Sequence, residues 1–154
     1  MINDVLQHPD FIFSYTRDDL ALPFAVREDG TMATIADAIR ALAPQAAREE
    51  FSLSPSETGS ARIKPIERHA EEDLARLAIE VLVRERLGTA PSVVGRGGLT
   101  SDQLIDGVRR GTEAGRRHVA EARQHALLVE AAIKGGRIKP VKAHPPVEPI
   151  PFRS

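Results

Sequence analysis

Between residues 104 and 133 the chain sets an apolar residue or a glycine at every third or fourth position. These are Leu104, Val108, Gly111, Gly115, Val119, Ala122, Ala126, Val129 and Ile133. Only an α-helix gathers positions at that spacing onto one side, so this seam constrains the fold more than any other feature. Thr100, with Gln103 at the position that closes a capping box, is expected to start the helix, and Gly135-Gly136 to end it. Unbroken, residues 100–134 would span about 50 Å at 1.5 Å per residue. A compact chain of this size is only about 40 Å across. An unbroken helix would therefore protrude, and its seam would need a second copy or a protein partner.

The glycines within this stretch need a reason, because each costs about 1 kcal/mol relative to alanine inside a helix. Gly111 and Gly115 fall in the seam and Gly107 at its edge. They can admit a neighbouring backbone, break the helix in two, or open room for a ligand. Close packing is the reading adopted, with Leu104, Val108, Gly111, Gly115, Val119, Ala122, Ala126 and Val129 as an interaction seam.

A second amphipathic stretch covers residues 68–87. Ala70, Leu74, Leu77, Ala78, Val81 and Leu82 form a wide apolar face, which suits a helix contacted on more than one side. Glu71, Glu72 and Asp73 near its start and Arg84 and Arg86 near its end complement the helix dipole. A third helix is expected over residues 31–50, capped by Thr31 and interrupted by Pro44. Aromatic residues are only 4% of the chain and tryptophan is absent, so the core is aliphatic. The expected fold is mainly α, a small helical domain with a long antiparallel helix pair and an irregular or short-stranded N-terminal segment.

The domain organisation follows. Residues 1–51 form an N-terminal segment carrying the helix at 31–50. Residues 52–61, SLSPSETGSA, have the composition of a flexible loop. Residues 62–135 form a helical hairpin core, and residues 136–154 a proline-rich extended tail. Within the N-terminal segment, FIFSY (11–15) and LALPFAV (20–26) read as two short strands joined by TRDD. The alternative is a short helix after Thr16 capped by Asp19.

Chemistry is harder to find. Cysteine is absent, which removes disulfides, thiolate metal sites and a cysteine nucleophile. The glycine loop GRGG (95–98) with Arg96 lacks the Lys-Ser/Thr of a phosphate-binding loop. His118, Glu121 and His125 lie on one side of the long helix, but Glu80 and Glu85 do not repeat their spacing, so no metal site and no cofactor are expected. Arg109, Arg116 and Arg123 recur every seven residues. That stripe is the place where phosphates or nucleic acid would be contacted, although acidic residues interrupt it and the net charge is −1. Pro146 and Pro149 give the tail a PxxP spacing that a partner groove can hold.

No apolar run is long enough to cross a membrane, and the N-terminus lacks a basic region ahead of a long apolar run, so a cytoplasmic setting is expected. The expected function is a non-catalytic protein–protein interaction or adaptor protein, self-associating through the seam. A nucleic-acid-associated accessory protein is the alternative, and a small helical enzyme with a His/Glu site the third.

Overall fold

The first turn of regular structure is held by a pair of reciprocal hydrogen bonds. Thr16 Oγ1 accepts from the Asp19 amide at 3.1 Å, and the Asp19 carboxylate accepts from the Thr16 amide at 2.9 Å. This capping box opens helix α1, Arg17–Leu20. The computed structural model describes residues 12–55, 61–86 and 99–141. Strands β1, Phe13–Tyr15, and β2, Pro23–Val26, flank α1. The N-terminal segment thus contains both of the arrangements that its sequence allows.

These two strands do not pair with each other. β1 lies parallel to β4, Ile138–Pro140, with Phe13 opposite Ile138 and Tyr15 opposite Pro140. The first residues after Gly136 are therefore a strand that ties the end of the chain's helical part to its beginning. β2 pairs antiparallel with β3, Met32–Thr34. The turn between them uses Gly30 at φ +85°, and the Asp29 carboxylate holds the Thr31 amide at 3.0 Å.

The expected helix over residues 31–50 starts later and comes in two pieces. Thr31 belongs to the hairpin turn, and Thr34 is the cap. Its Oγ1 accepts from the Asp37 amide at 3.2 Å while Asp37 Oδ2 accepts from the Thr34 amide at 3.0 Å. Helix α2, Ile35–Leu42, follows, and α3, Pro44–Glu49, begins on the proline itself. Pro44 stands where a helix has no use for an amide hydrogen, which is why it starts a helix rather than bending one.

A 3-10 turn, Ile66–Arg68, leads into α4, Glu71–Arg86. α4 is central, as its broad apolar face requires. Leu77 joins the main core with Phe24, Ile39 and Ile133. Leu74 and Ala78 pack with Val108 and Val119, and Leu82 packs with Leu104 and Ile105.

The long partner helix over residues 100–134 is two helices, and this corrects the expected long antiparallel pair. Helix α5, Ser101–Arg110, starts at the Thr100–Gln103 capping box. It stops at Gly111, whose φ of 69° is left-handed, a conformation that glycine adopts without steric cost. Thr112 then caps α6, Glu113–Lys134, by accepting the Gly115 amide at 3.1 Å. The corner is closed by the Thr112 amide donating to the Gly107 carbonyl at 3.0 Å. Among the described residues, 62–135 accordingly carry three α-helices in place of the two of a hairpin.

Two of the competing explanations for the glycines hold together. Gly111 breaks the helix, and Gly107 and Gly115 let the two resulting helices touch backbone to backbone. A Cβ on Gly115 would overlap the Gly107 carbonyl group. The glycine loop at 95–98, the tail beyond residue 141 and its PxxP spacing lie outside the described residues.

Candidate functional site

Asp37, which completes the cap of α2, also holds two arginines. Its Oδ2 accepts from Arg27 Nη2 at 2.8 Å, and its Oδ1 accepts from Arg40 Nη1 at 2.9 Å. Arg27 is fixed further by donating to the Met32 carbonyl at 2.9 Å. Arg40 Nε donates to the Ser54 carbonyl at 2.6 Å. Burial alone would push the Asp37 carboxyl upward. The hydrogen bonds from Thr34 and the charges of Arg27 and Arg40 outweigh it and hold the group below the ordinary carboxylate value. The result is a pair of pre-positioned guanidinium groups at the junction of β2 and α2.

The facing wall comes from residues 61–65. This segment is stitched to the end of β2: Glu28 donates its amide to the Arg62 carbonyl at 2.8 Å, and the Lys64 amide donates to the Val26 carbonyl at 3.0 Å. His69 clamps the same wall from behind. Its Nε2 accepts from the Val26 amide at 2.9 Å, and its Nδ1 stands 2.9 Å from the Pro65 carbonyl. A carbonyl can only accept, so Nδ1 donates to it while Nε2 takes the Val26 amide hydrogen. Lys64 is anchored to Asp73 at 2.9 Å.

The third wall is the last part of α6. Glu130 Oε2 accepts from the Ile66 amide at 3.1 Å, and its Oε1 lies 3.9 Å from Lys134 Nζ. This ties the 3-10 turn to α6. Between the three walls is a cleft of about 910 Å³. Among the described residues Arg27, Arg40, Arg62, Lys64 and Lys134 line it, against the acidic Asp37 and Glu130. Arg62 is exposed and makes no side-chain ion pair among the described residues. A chain whose net charge is −1 has thus gathered a cationic excess in one concavity.

A smaller groove of about 340 Å³ lies between the start of α4 and the first half of α6. Leu74, Val119 and Leu127 give it an apolar floor, while Arg116 and Arg123 face Glu71 along it. Here the structure brings together two members of the arginine stripe. Arg109 is exposed on α5 and does not line the groove. The break at Gly111 changes the helix direction and so removes the seven-residue register between Arg109 and the other two.

The seam positions are placed as follows. Leu104, Val108, Gly115, Val119, Ala126 and Val129 are buried within the chain. Ala122 is half-buried against the Leu74 and Val119 cluster, and Gly111 is exposed at the helix corner. The buried seam positions are therefore covered by this chain's own α4 and core. His118, Glu121 and His125 belong to no metal-holding cluster among the described residues. No group of three His, Asp or Glu side chains among the described residues is placed to hold a metal. His125 instead stands edge-on to Phe13, with ring centres 6.2 Å apart.

The cleft went unseen in the sequence because its residues come from five separate segments. The one local trace is Thr34-x-x-Asp37, a capping pattern, which says nothing of the arginines it organises. Among the described residues no helix is long and apolar enough to cross a membrane. Comparison with known families, with curated proteins and with solved structures finds no match to this chain.

Proposed function

We propose that the protein is a non-catalytic interaction module whose cleft receives an acidic segment of a protein partner. One observation carries this reading: five cationic side chains line the cleft against two acidic ones. The two acidic groups are already engaged, Asp37 by Arg27 and Arg40 and Glu130 by the Ile66 amide and Lys134. An incoming carboxylate meets donors whose positions are set before it arrives, which lowers the ordering cost of binding. Partner binding replaces self-association through the seam as the substance of the adaptor reading, and a cytoplasmic setting belongs to the same proposal.

The nucleic-acid alternative has less behind it. Among the described residues Phe24 alone of the aromatics lines the cleft and none lines the groove, so they offer bases no stacking platform in either.

The test is fluorescence anisotropy with a labelled peptide of about four Asp and Glu residues, short enough to sit within the cleft. Saturable binding is expected. It should weaken with added salt as screening shortens to about 8 Å at physiological ionic strength, and it should be lost in the double variant Arg62→Glu, Lys134→Glu. Both residues are exposed, so the variant should keep its fold. Failure of the peptide to bind at low salt would refute the reading.

A further inference from the structure

Resting on the reading of the cleft just given, we infer that the binding site is longer than the cleft and bipartite. The acidic segment continues along α6 into the groove at Arg116 and Arg123.

The placement of residues on α6 leads to this. At about 100° per residue, Arg116, Arg123, Leu127, Glu130 and Lys134 fall within an arc of roughly 60° on one side of the helix. The groove takes Arg116, Arg123 and Leu127 from that side, and the cleft takes Glu130 and Lys134 from the same side. The opposite bank is also continuous in sequence. Residues 62–65 border the cleft, the turn at Ile66–Arg68 follows, and Glu71 and Leu74 border the groove. The two concavities are thus successive parts of one furrow between residues 62–74 and α6. The bond from the Ile66 amide to Glu130 spans it as a pinch.

Charge complementarity selects the occupant. Taken together, the described residues lining the two concavities include seven basic side chains and three acidic ones, five and two in the cleft with two and one in the groove. Of the acidic groups, Asp37 and Glu130 already have partners within the chain. The groove has an apolar floor in Leu74, Val119 and Leu127 beside its two arginines, so its half of the ligand carries an aliphatic side chain between acidic ones. From Arg116 to Lys134 the helix advances about 27 Å at 1.5 Å per residue. An extended strand covers that distance in about eight residues. The ligand that fits is an extended acidic peptide of about that length with a Leu, Ile or Val near one end.

The experiment compares two labelled peptides by anisotropy: the acidic peptide of about four residues and one of about eight carrying a single Leu toward one end. The longer peptide should bind at least about tenfold more tightly, since its second half engages at high effective concentration. In Arg123→Glu the ratio of the two affinities should collapse toward one, and in Arg123→Lys it should be largely kept. Equal affinities in the native protein, or a ratio unchanged in Arg123→Glu, would overturn the bipartite site while leaving the cleft reading intact. If neither peptide binds, both readings fall. If a single-stranded oligonucleotide binds more tightly than the longer peptide and displaces it, the furrow belongs to nucleic acid and the inference fails.

Discussion

Gly107 and Gly115, on consecutive helices, meet with no side chain between them. The space that a Cβ on Gly115 would need is taken by the Gly107 carbonyl group and the Val108 amide. Gly111, between them, is different: a Cβ there would touch nothing, but φ is 69°. Two physical costs are therefore separable at one helix corner. Gly115→Ala should destabilise by about 1–3 kcal/mol through overpacking against backbone. Gly111→Ala should cost about 1 kcal/mol through left-handed strain alone. Chemical denaturation of the two variants decides the order, and a larger loss at Gly111 than at Gly115 would contradict this account of the corner.

His69 joins β2 to the segment before α4 through two backbone groups, the Val26 amide and the Pro65 carbonyl. His69→Leu keeps the volume close but strands the Val26 amide at a residue that is 8% exposed in the native fold, while the Pro65 carbonyl keeps its bond from the Arg68 amide. The expected loss is about 1–3 kcal/mol, read from urea unfolding. The cleft wall should loosen with it, seen as faster amide exchange at Val26 than at the α6 core. Unchanged exchange at Val26 would show that the clamp is unimportant.

Acid should weaken the fold through two carboxylates. Asp73 is held below its ordinary 3.8 first by the hydrogen bond from Lys64, and Asp37 also lies below 3.8, where the Thr34 bonds and two arginines overcome burial. With native values under the unfolded ones, the unfolded chain binds more protons in that window. Their contribution is complete above 3.8 and is lost as pH falls through the native values. Urea midpoints measured from about pH 6 down to about pH 3 should fall at the acid end. The double variant Asp37→Asn, Asp73→Asn should start lower and vary less there. A native midpoint that stays level to the acid end would show these two groups to be unimportant for stability.

Glu130 has two consequences that a single substitution separates. As a hydrogen-bond acceptor it holds the Ile66 amide, and as a charge it opposes an acidic ligand in the cleft. Glu130→Gln keeps an acceptor oxygen and removes the charge. Thermal stability should change little, while the affinity for the acidic peptide rises roughly two- to fivefold, the scale of an exposed charge pair. A fall in affinity at unchanged stability would place the ligand elsewhere.

Much of the helical content is legible locally. The capping boxes at Thr16 and Thr100, the charge order along α4 and its broad apolar face are properties of neighbouring residues, and the structure uses them as written. Periodicity misled at the long seam. An apolar recurrence of three and four runs across Gly111 without interruption, because α5 and α6 both bury that side against α4 and the core. The sign of the break was the pair Gly111-Thr112, a left-handed stop followed at once by an N-cap, which periodicity does not register. At residues 31–34 the cap expected on Thr31 falls three residues later, on Thr34. Pairing of β3 with β2 selected Thr34, and nothing local to either threonine encodes that pairing.

By itself, the sequence determined that this chain is helical, aliphatic in its core and free of cysteine chemistry, since propensity, spacing and composition act over a few residues. Only the tertiary structure decided where charge accumulates. Arg27, Arg40, Arg62, Lys64 and Lys134 are dispersed along the chain, and they share one cleft because β2, residues 61–65 and α6 are brought together by backbone bonds and by Glu130 and His69. Coulomb interactions depend on distance in space, so a net charge of −1 carried no information about that concentration until the fold was known.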